Sequence, residues 1–200
     1  MNDKIRDLLA QISALEDELR TTLHEQEERV AFTLHGKRVE FEQSVRDAHR
    51  RMKTGILRWL GYRPINLITG PVIYSMIVPL LLLDLCVSLY QALCFPIYRM
   101  AKVKRADYFV FDRQQLAYLN AIEKFHCCYC SYANGLLAYA TEIVARTEQY
   151  FCPIKHARKR LGAHARYQRF IGYGEAVDFA GRLEQYRRAL EEKRRQADHD

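Results

Sequence analysis

Residues 65–98, INLITGPVIYSMIVPLLLLDLCVSLYQALCFPIY, contain a single charged side chain, Asp84. A run of more than ~20 mainly apolar residues is long enough to cross a bilayer as a helix. A soluble core helix this apolar on every side would be unusual in a chain of 200 residues, so the block reads as a membrane segment. Arg50, Arg51, Lys53, Arg58 and Arg63 precede it, and Arg99, Lys102, Lys104 and Arg105 follow it. With basic residues on both flanks, the positive-inside rule selects no orientation. Two topologies follow: a re-entrant segment that enters and leaves on the cytoplasmic face with Pro79 as its bend, or one tilted, Pro-kinked span. The matched flanks favour the re-entrant form. A carboxylate at mid-bilayer costs about 2.5–3.5 kcal/mol, so Asp84 should be paired, face a polar cavity, or lie wet at the interface of a shallow segment.

The remainder is polar. Thirty-one Lys and Arg against 24 Asp and Glu give a formal charge of +7. The basic residues crowd beside the apolar block and recur at Arg158, Lys159 and Arg160, so anionic headgroups are the expected partner. No RNA-binding signature or helix-turn-helix pattern stands out, and nucleic acid is not favoured. The N-terminus carries charges throughout and is not read as a secretory signal. Six cysteines without such a signal point to a reducing compartment, where clustered thiols more often mean metal or redox chemistry.

Four regions result. Residues 1–62 form an amphipathic or coiled-coil region, with Ile5, Leu8, Ile12, Leu15, Leu19 and Leu23 at steps of three or four. This suggests a homo-oligomer or a protein partner through residues 1–30. VAFTLHGKRVEFE alternates like a strand around His35-Gly36, where a kink, a hairpin or a loop fits, and a helix is expected from Phe41 to Trp59, ending near Gly61 and Arg63-Pro64. Residues 65–98 are the membrane segment. Residues 105–174 form a Cys/His helical module, and 175–200 a C-terminal amphipathic helix, with Phe179, Leu183, Tyr186 and Leu190 on one face, then a polar tail.

Within the module, Asp112 is the expected N-cap with Gln115 as its capping-box partner. Asn134-Gly135 reads as a turn between two helices, the second being Leu136–Tyr150. Cys127, Cys130, Cys152 and His156 make the pattern C-x2-C-x21-C-x3-H, the ligand count and softness of a tetrahedral zinc site, with iron also accommodated. A hairpin would leave its two halves about 22 Å apart unless the second helix is short or bent. Two other readings stay open: Cys127 and Cys130 as a redox pair beside Lys124 and His126, or cysteines buried for packing. Glu123 and His126 form a lone E-x-x-H, whereas di-iron bundles need two. No Ser/His/Asp arrangement, phosphate loop or dinucleotide fingerprint is visible.

The stretches GPVIYSMIVPLLLLDLCVSLYQALCFPIY, FDRQQLAYLNAIEKFHCCYCSYANGLLAY and EIVARTEQYFCPIKHA resemble a family of uncharacterised bacterial membrane-associated proteins, over about residues 40–175. Cys127, Tyr129, Cys130, Ser131, Tyr132, Asn134 and Gly135 match its C-x-Y-C-S-Y-x-N-G pattern, and Cys152, Pro153, Ile154, Lys155 and His156 match its C-P-I-K-H. The chain departs from it at His126 and Phe151, where the family has asparagine and tryptophan. The resemblance implies a bacterial membrane protein, and no activity comes with it.

The expectation is thus a mainly α, membrane-anchored protein of the bacterial inner membrane with a cytoplasmic Cys/His module. Its leading functional reading is a Cys3His metal site for zinc or iron. A non-catalytic membrane scaffold and a thiol-redox protein are the alternatives.

Overall fold

The computed structural model describes residues 3–28, 32–35, 38–41, 43–53, 55 and 65–199, and these are mainly helical. The chain divides into two compact units, residues 1–59 with 112–125, and residues 60–111 with 126–200.

In the first unit α1 spans Asp3–Glu28. Leu8, Ile12, Leu15 and Leu19, spaced four, three and four apart, are all exposed. The alternating stretch forms a hairpin: β1 (Phe32–His35) pairs antiparallel with β2 (Arg38–Phe41), with Phe32 opposite Phe41 and His35 opposite Arg38. α2 runs Gln43–Met52; the expected helix end at Gly61 and Arg63-Pro64 lies outside the described residues, as do Gly36 and Arg58. The His49 ring meets Phe41 edge-on at 5.2 Å and Tyr118 at 4.9 Å.

Asp112 does not cap the long helix that follows. It precedes a short 3-10 turn, Arg113–Gln115, and makes no side-chain cap. The Gln115 carbonyl oxygen accepts the Val39 N–H at 2.6 Å instead. The cap is Asn120, whose Oδ1 accepts from the N–H groups of Ile122 and Glu123, while Glu123 accepts the Asn120 N–H at 2.9 Å. This is a reciprocal capping box, which satisfies orphan donors at the helix start.

In the second unit α3 (Ile65–Ser75) and α4 (Ile77–Ile97) are separated only by Met76. Pro79 does not turn the chain back, contrary to the re-entrant bend. It lies in the first turn of α4, where N–H groups lack intrahelical acceptors and a proline is tolerated.

α5 is continuous from Ala121 to Phe151, so the turn expected at Asn134-Gly135 is absent. Asn134 points its amide back to the Cys130 carbonyl at 2.9 Å. Gly135 has another purpose: a Cβ there would lie 2.7 Å from the Tyr108 carbonyl oxygen and 3.2 Å from the Phe109 ring. The glycine lets another stretch of backbone press against the helix.

That stretch, residues 100–111, is a strap that makes the fold close. α4 and α5 run parallel: Asp84 bonds Tyr132, Gln91 bonds Tyr139, and Tyr90 bonds Thr147. Parallel neighbours need a return connection, and the strap runs the other way, meeting Gln91 at Val103, Asp84 at Arg105, and Tyr132 at Phe109. Gln91 is buried and fully used. Its oxygen accepts the Val103 N–H at 2.6 Å and its amide donates to the Tyr139 hydroxyl at 2.8 Å, as buried polar groups require.

Beyond α5 the chain is mostly irregular, pinned by a parallel bridge between Ile154 and Ile171. α6 then spans Phe179–His199, so most of the expected polar tail is helical. Its Leu190 completes the core with Phe95, Met100, Val103, Leu136, Tyr139 and Ile143.

Candidate functional site

The polarity of α4 is reversed relative to a soluble helix. Val78, Leu81, Leu82, Leu85, Leu89, Leu93 and Ile97 are each more than half exposed. The polar residues Asp84, Ser88, Tyr90 and Gln91 are turned inward and hydrogen-bonded. Ile68–Ile97 is long and apolar enough to cross a membrane.

Asp84 is the centre of the inner face. Arg105 grips its carboxylate with both terminal nitrogens, at 2.5 and 2.6 Å. The Tyr132 hydroxyl donates to it at 2.8 Å and Ser88 at 3.2 Å. The Arg105 guanidinium also lies over the Phe109 ring, 4.1 Å from its centroid, so it is held by charge and by an aromatic face together. Of the expected fates of Asp84, pairing is the one realised. Its partner comes from the strap.

A second ionic cluster lies further along α5. Arg166 and Arg146 both reach Glu142, at 2.6 and 2.8 Å, and Arg166 also reaches Gln149 at 2.9 Å. Burial alone would raise the Glu142 carboxyl, but the hydrogen bonds and charges of Arg166 and Arg146 outweigh it and hold the group below the ordinary carboxylate range. A carboxylate with a depressed folded-state pKa contributes stability above its unfolded value and loses it as pH falls through the folded one. Chemical unfolding between pH 7 and pH 3 should therefore show the wild type weakening below about pH 4.5, the unfolded carboxylate value. Glu142→Gln should be about 1–2 kcal/mol less stable at pH 7 and flatter across the acid limb.

The four expected metal ligands are not brought together. Cys130 and Cys152 are separated by 22 residues along and just past the continuous α5, or roughly 33 Å at the helical rise. His156 is exposed, its ring stacked against Tyr167 at 6.1 Å. Among the described residues, no three His, Cys, Asp or Glu side chains converge as a metal group. Cys127 and Cys130 share one side of α5, and all six cysteines are free thiols. Of the cysteines read as packing residues, Cys86 is exposed and Cys94 and Cys128 are half-buried; Cys127 is half-buried as well, and Cys130 and Cys152 are exposed. His126 stacks obliquely near Tyr74, 5.7 Å between rings. Glu123 is committed to the helix cap.

Of the basic residues, Arg99, Lys102, Lys104, Arg158, Lys159 and Arg160 are exposed, and Arg105 is tied to Asp84. Sequence reasoning did not single out Gln91, Tyr132, Glu142 or Arg166 as a set. Gln91 carried a readable signal, since Asp84, Ser88 and Gln91 recur at helical spacing inside an apolar block. Arg166 carried none. No family model, curated protein or solved structure matches the chain.

Proposed function

We propose that the protein is a non-catalytic scaffold of the bacterial inner membrane, anchored by α3 and α4 and offering α1 to a partner helix. The observation that carries this reading is the reversed polarity of α4, apolar outside and polar inside. Lipid is the environment that such a face fits.

α4 lies lengthwise in the interface and does not cross the membrane. Lys104 and Asp107 are exposed on the strap, on either side of Arg105 and its bond to Asp84. A spanning α4 would carry these charges into hydrocarbon at a cost of several kcal/mol, on the order of 2.5–3.5 each. An in-plane helix keeps them wet while its outer face sinks about 5–10 Å into the boundary. Both ends then remain on the cytoplasmic side, which agrees with basic residues on both flanks.

α1 supplies the docking element. Ile5, Ile12 and Leu19 alternate with Leu8 and Leu15 in a 3-4 repeat, and β-branched and leucine residues in those alternating places favour a two-stranded coil. The metal reading requires ligands about 33 Å apart to meet and gives way to this one.

Alkaline extraction of membranes tests the assignment. The full chain should stay in the pellet, and Leu85→Lys/Leu89→Lys should move it to the supernatant while remaining folded by circular dichroism. Metal content should be the same in Cys152→Ala as in the wild type. A variant that stays in the pellet would overturn the anchoring. A zinc or iron atom lost with Cys152 would restore the metal reading.

A further inference from the structure

α4 ends at Ile97, and the residues just past it form a pocket with the far end of α6. A cavity of about 230 Å³ is lined by Arg99, Glu191, Arg194 and Arg195. Three guanidinium groups face one carboxylate, so the lining carries a formal surplus of two positive charges. Arg194 is anchored by donating to the Pro96 carbonyl at 3.2 Å, which offsets the partial negative charge of the α4 terminus. No carboxylate among the described residues lies within ion-pair distance of Arg99 or Arg195, Glu191 included.

One further observation points the same way. Arg99 has a φ of 54°, the left-handed position after a helix that glycine or asparagine usually fills. An arginine is placed there against local preference.

We propose that Arg99, Arg194 and Arg195 form a phosphate-binding site at the membrane surface, suited to the headgroup of an anionic phospholipid. Guanidinium forks match phosphate oxygens two at a time. An α4 lying in the membrane plane keeps its whole length at the headgroup boundary, so Arg99, two residues past its end at Ile97, stays within reach of the phosphates; in this respect the site rests on the anchoring proposed above. Glu191 faces the hydroxyl or ammonium donors that headgroups carry beside the phosphate.

The test uses full-length protein in neutral detergent, titrated calorimetrically with monomeric dihexanoyl-phosphatidylglycerol, dihexanoyl-phosphatidylcholine and inorganic phosphate. Phosphatidylglycerol should bind about tenfold more tightly than phosphatidylcholine, and Arg99→Gln/Arg195→Gln should weaken it by about tenfold or more, the range for lost charged hydrogen bonds. Arg194 is left in place because it caps α4. Glu191→Gln should tighten phosphate binding, a change that misfolding cannot imitate. Inorganic phosphate bound as tightly as the lipid supports the site and assigns its ligand to solution; phosphate bound much more weakly supports it and assigns the lipid. Binding of neither, or equal binding by wild type and the double variant, overturns the site. Sedimentation with pure phosphatidylcholine vesicles reads the anchor separately. Loss there, with pocket binding intact, counts against the anchoring alone.

Discussion

Replacing Arg105 with methionine should lower the unfolding free energy by about 2–3 kcal/mol, the cost of leaving a mostly buried carboxylate without its charged partner. The Asp84 side chain is 14% exposed, whereas that of Arg105 is 46% exposed, so the damage falls on the aspartate side. Water can solvate a freed arginine; it cannot easily reach the freed carboxylate between α4 and the strap. Asp84→Leu should therefore cost less than Arg105→Met. The double variant should recover part of the loss, with a coupling energy above about 1 kcal/mol in a cycle of chemical unfolding. Additive losses would mean that the two residues act independently, in conflict with the bidentate geometry.

Gly135→Val should be comparably or more damaging. The new Cβ would sit 2.7 Å from a backbone carbonyl of the strap, and the strap has little freedom to retreat. It is pinned on one side by Val103 to Gln91 and by Arg105 to Asp84. Overpacking against fixed backbone costs about 1–3 kcal/mol and sometimes more, and valine adds two methyl groups beyond the Cβ. Gly135→Ala isolates the Cβ itself; its better helix propensity returns up to about 1 kcal/mol, so its net loss should be smaller. Gly70→Ala in α3 is the control, because there a Cβ would meet only Tyr74, at 4.0 Å. It should be neutral or slightly stabilising by thermal unfolding. Loss of the same size at both positions would mean that helix flexibility, and not the approach of the strap, accounts for Gly135.

What the sequence made legible follows the range of the interaction. The membrane block was legible because thirty-four residues with one charge cannot be hidden by any arrangement of neighbours. The α1 seam and the β1–β2 alternation were legible because they are local periodicities. Two capping boxes were written in the same dozen residues, Asp112 with Gln115 and Asn120 with Glu123, and local rules accept both. A distant N–H, that of Val39, decides between them by engaging Gln115. Asn134-Gly135 misled for a related reason. A glycine that admits a turn also admits close approach by another strand of backbone, and the approaching residue, Tyr108, lies 27 positions earlier. With no turn there and no shortened second helix, Cys127 and Cys130 sit towards one end of α5 and Cys152 and His156 lie just past the other, so the ligand pattern is not assembled. The Asp84–Arg105 pair spans 21 residues across a non-periodic strap, and no spacing rule reaches it. The need of Asp84 for some partner was nevertheless readable from the cost of an unpaired carboxylate in an apolar block.

The most direct measurement is the depth of nitroxide labels along the outer face of α4. Cys86 is naturally exposed there, and Leu82→Cys, Leu89→Cys and Leu93→Cys extend the series in a background lacking the other thiols. Collision with oxygen against a polar nickel complex, by power-saturation electron paramagnetic resonance in lipid vesicles, reports depth at each site. The in-plane anchor predicts an oxygen-favoured signal at all four positions, with similar shallow depths of about 5–10 Å. A depth that climbs through the bilayer centre and falls again would show a spanning helix, and nickel-favoured collisions at every site would place the face in water; either result contradicts the account.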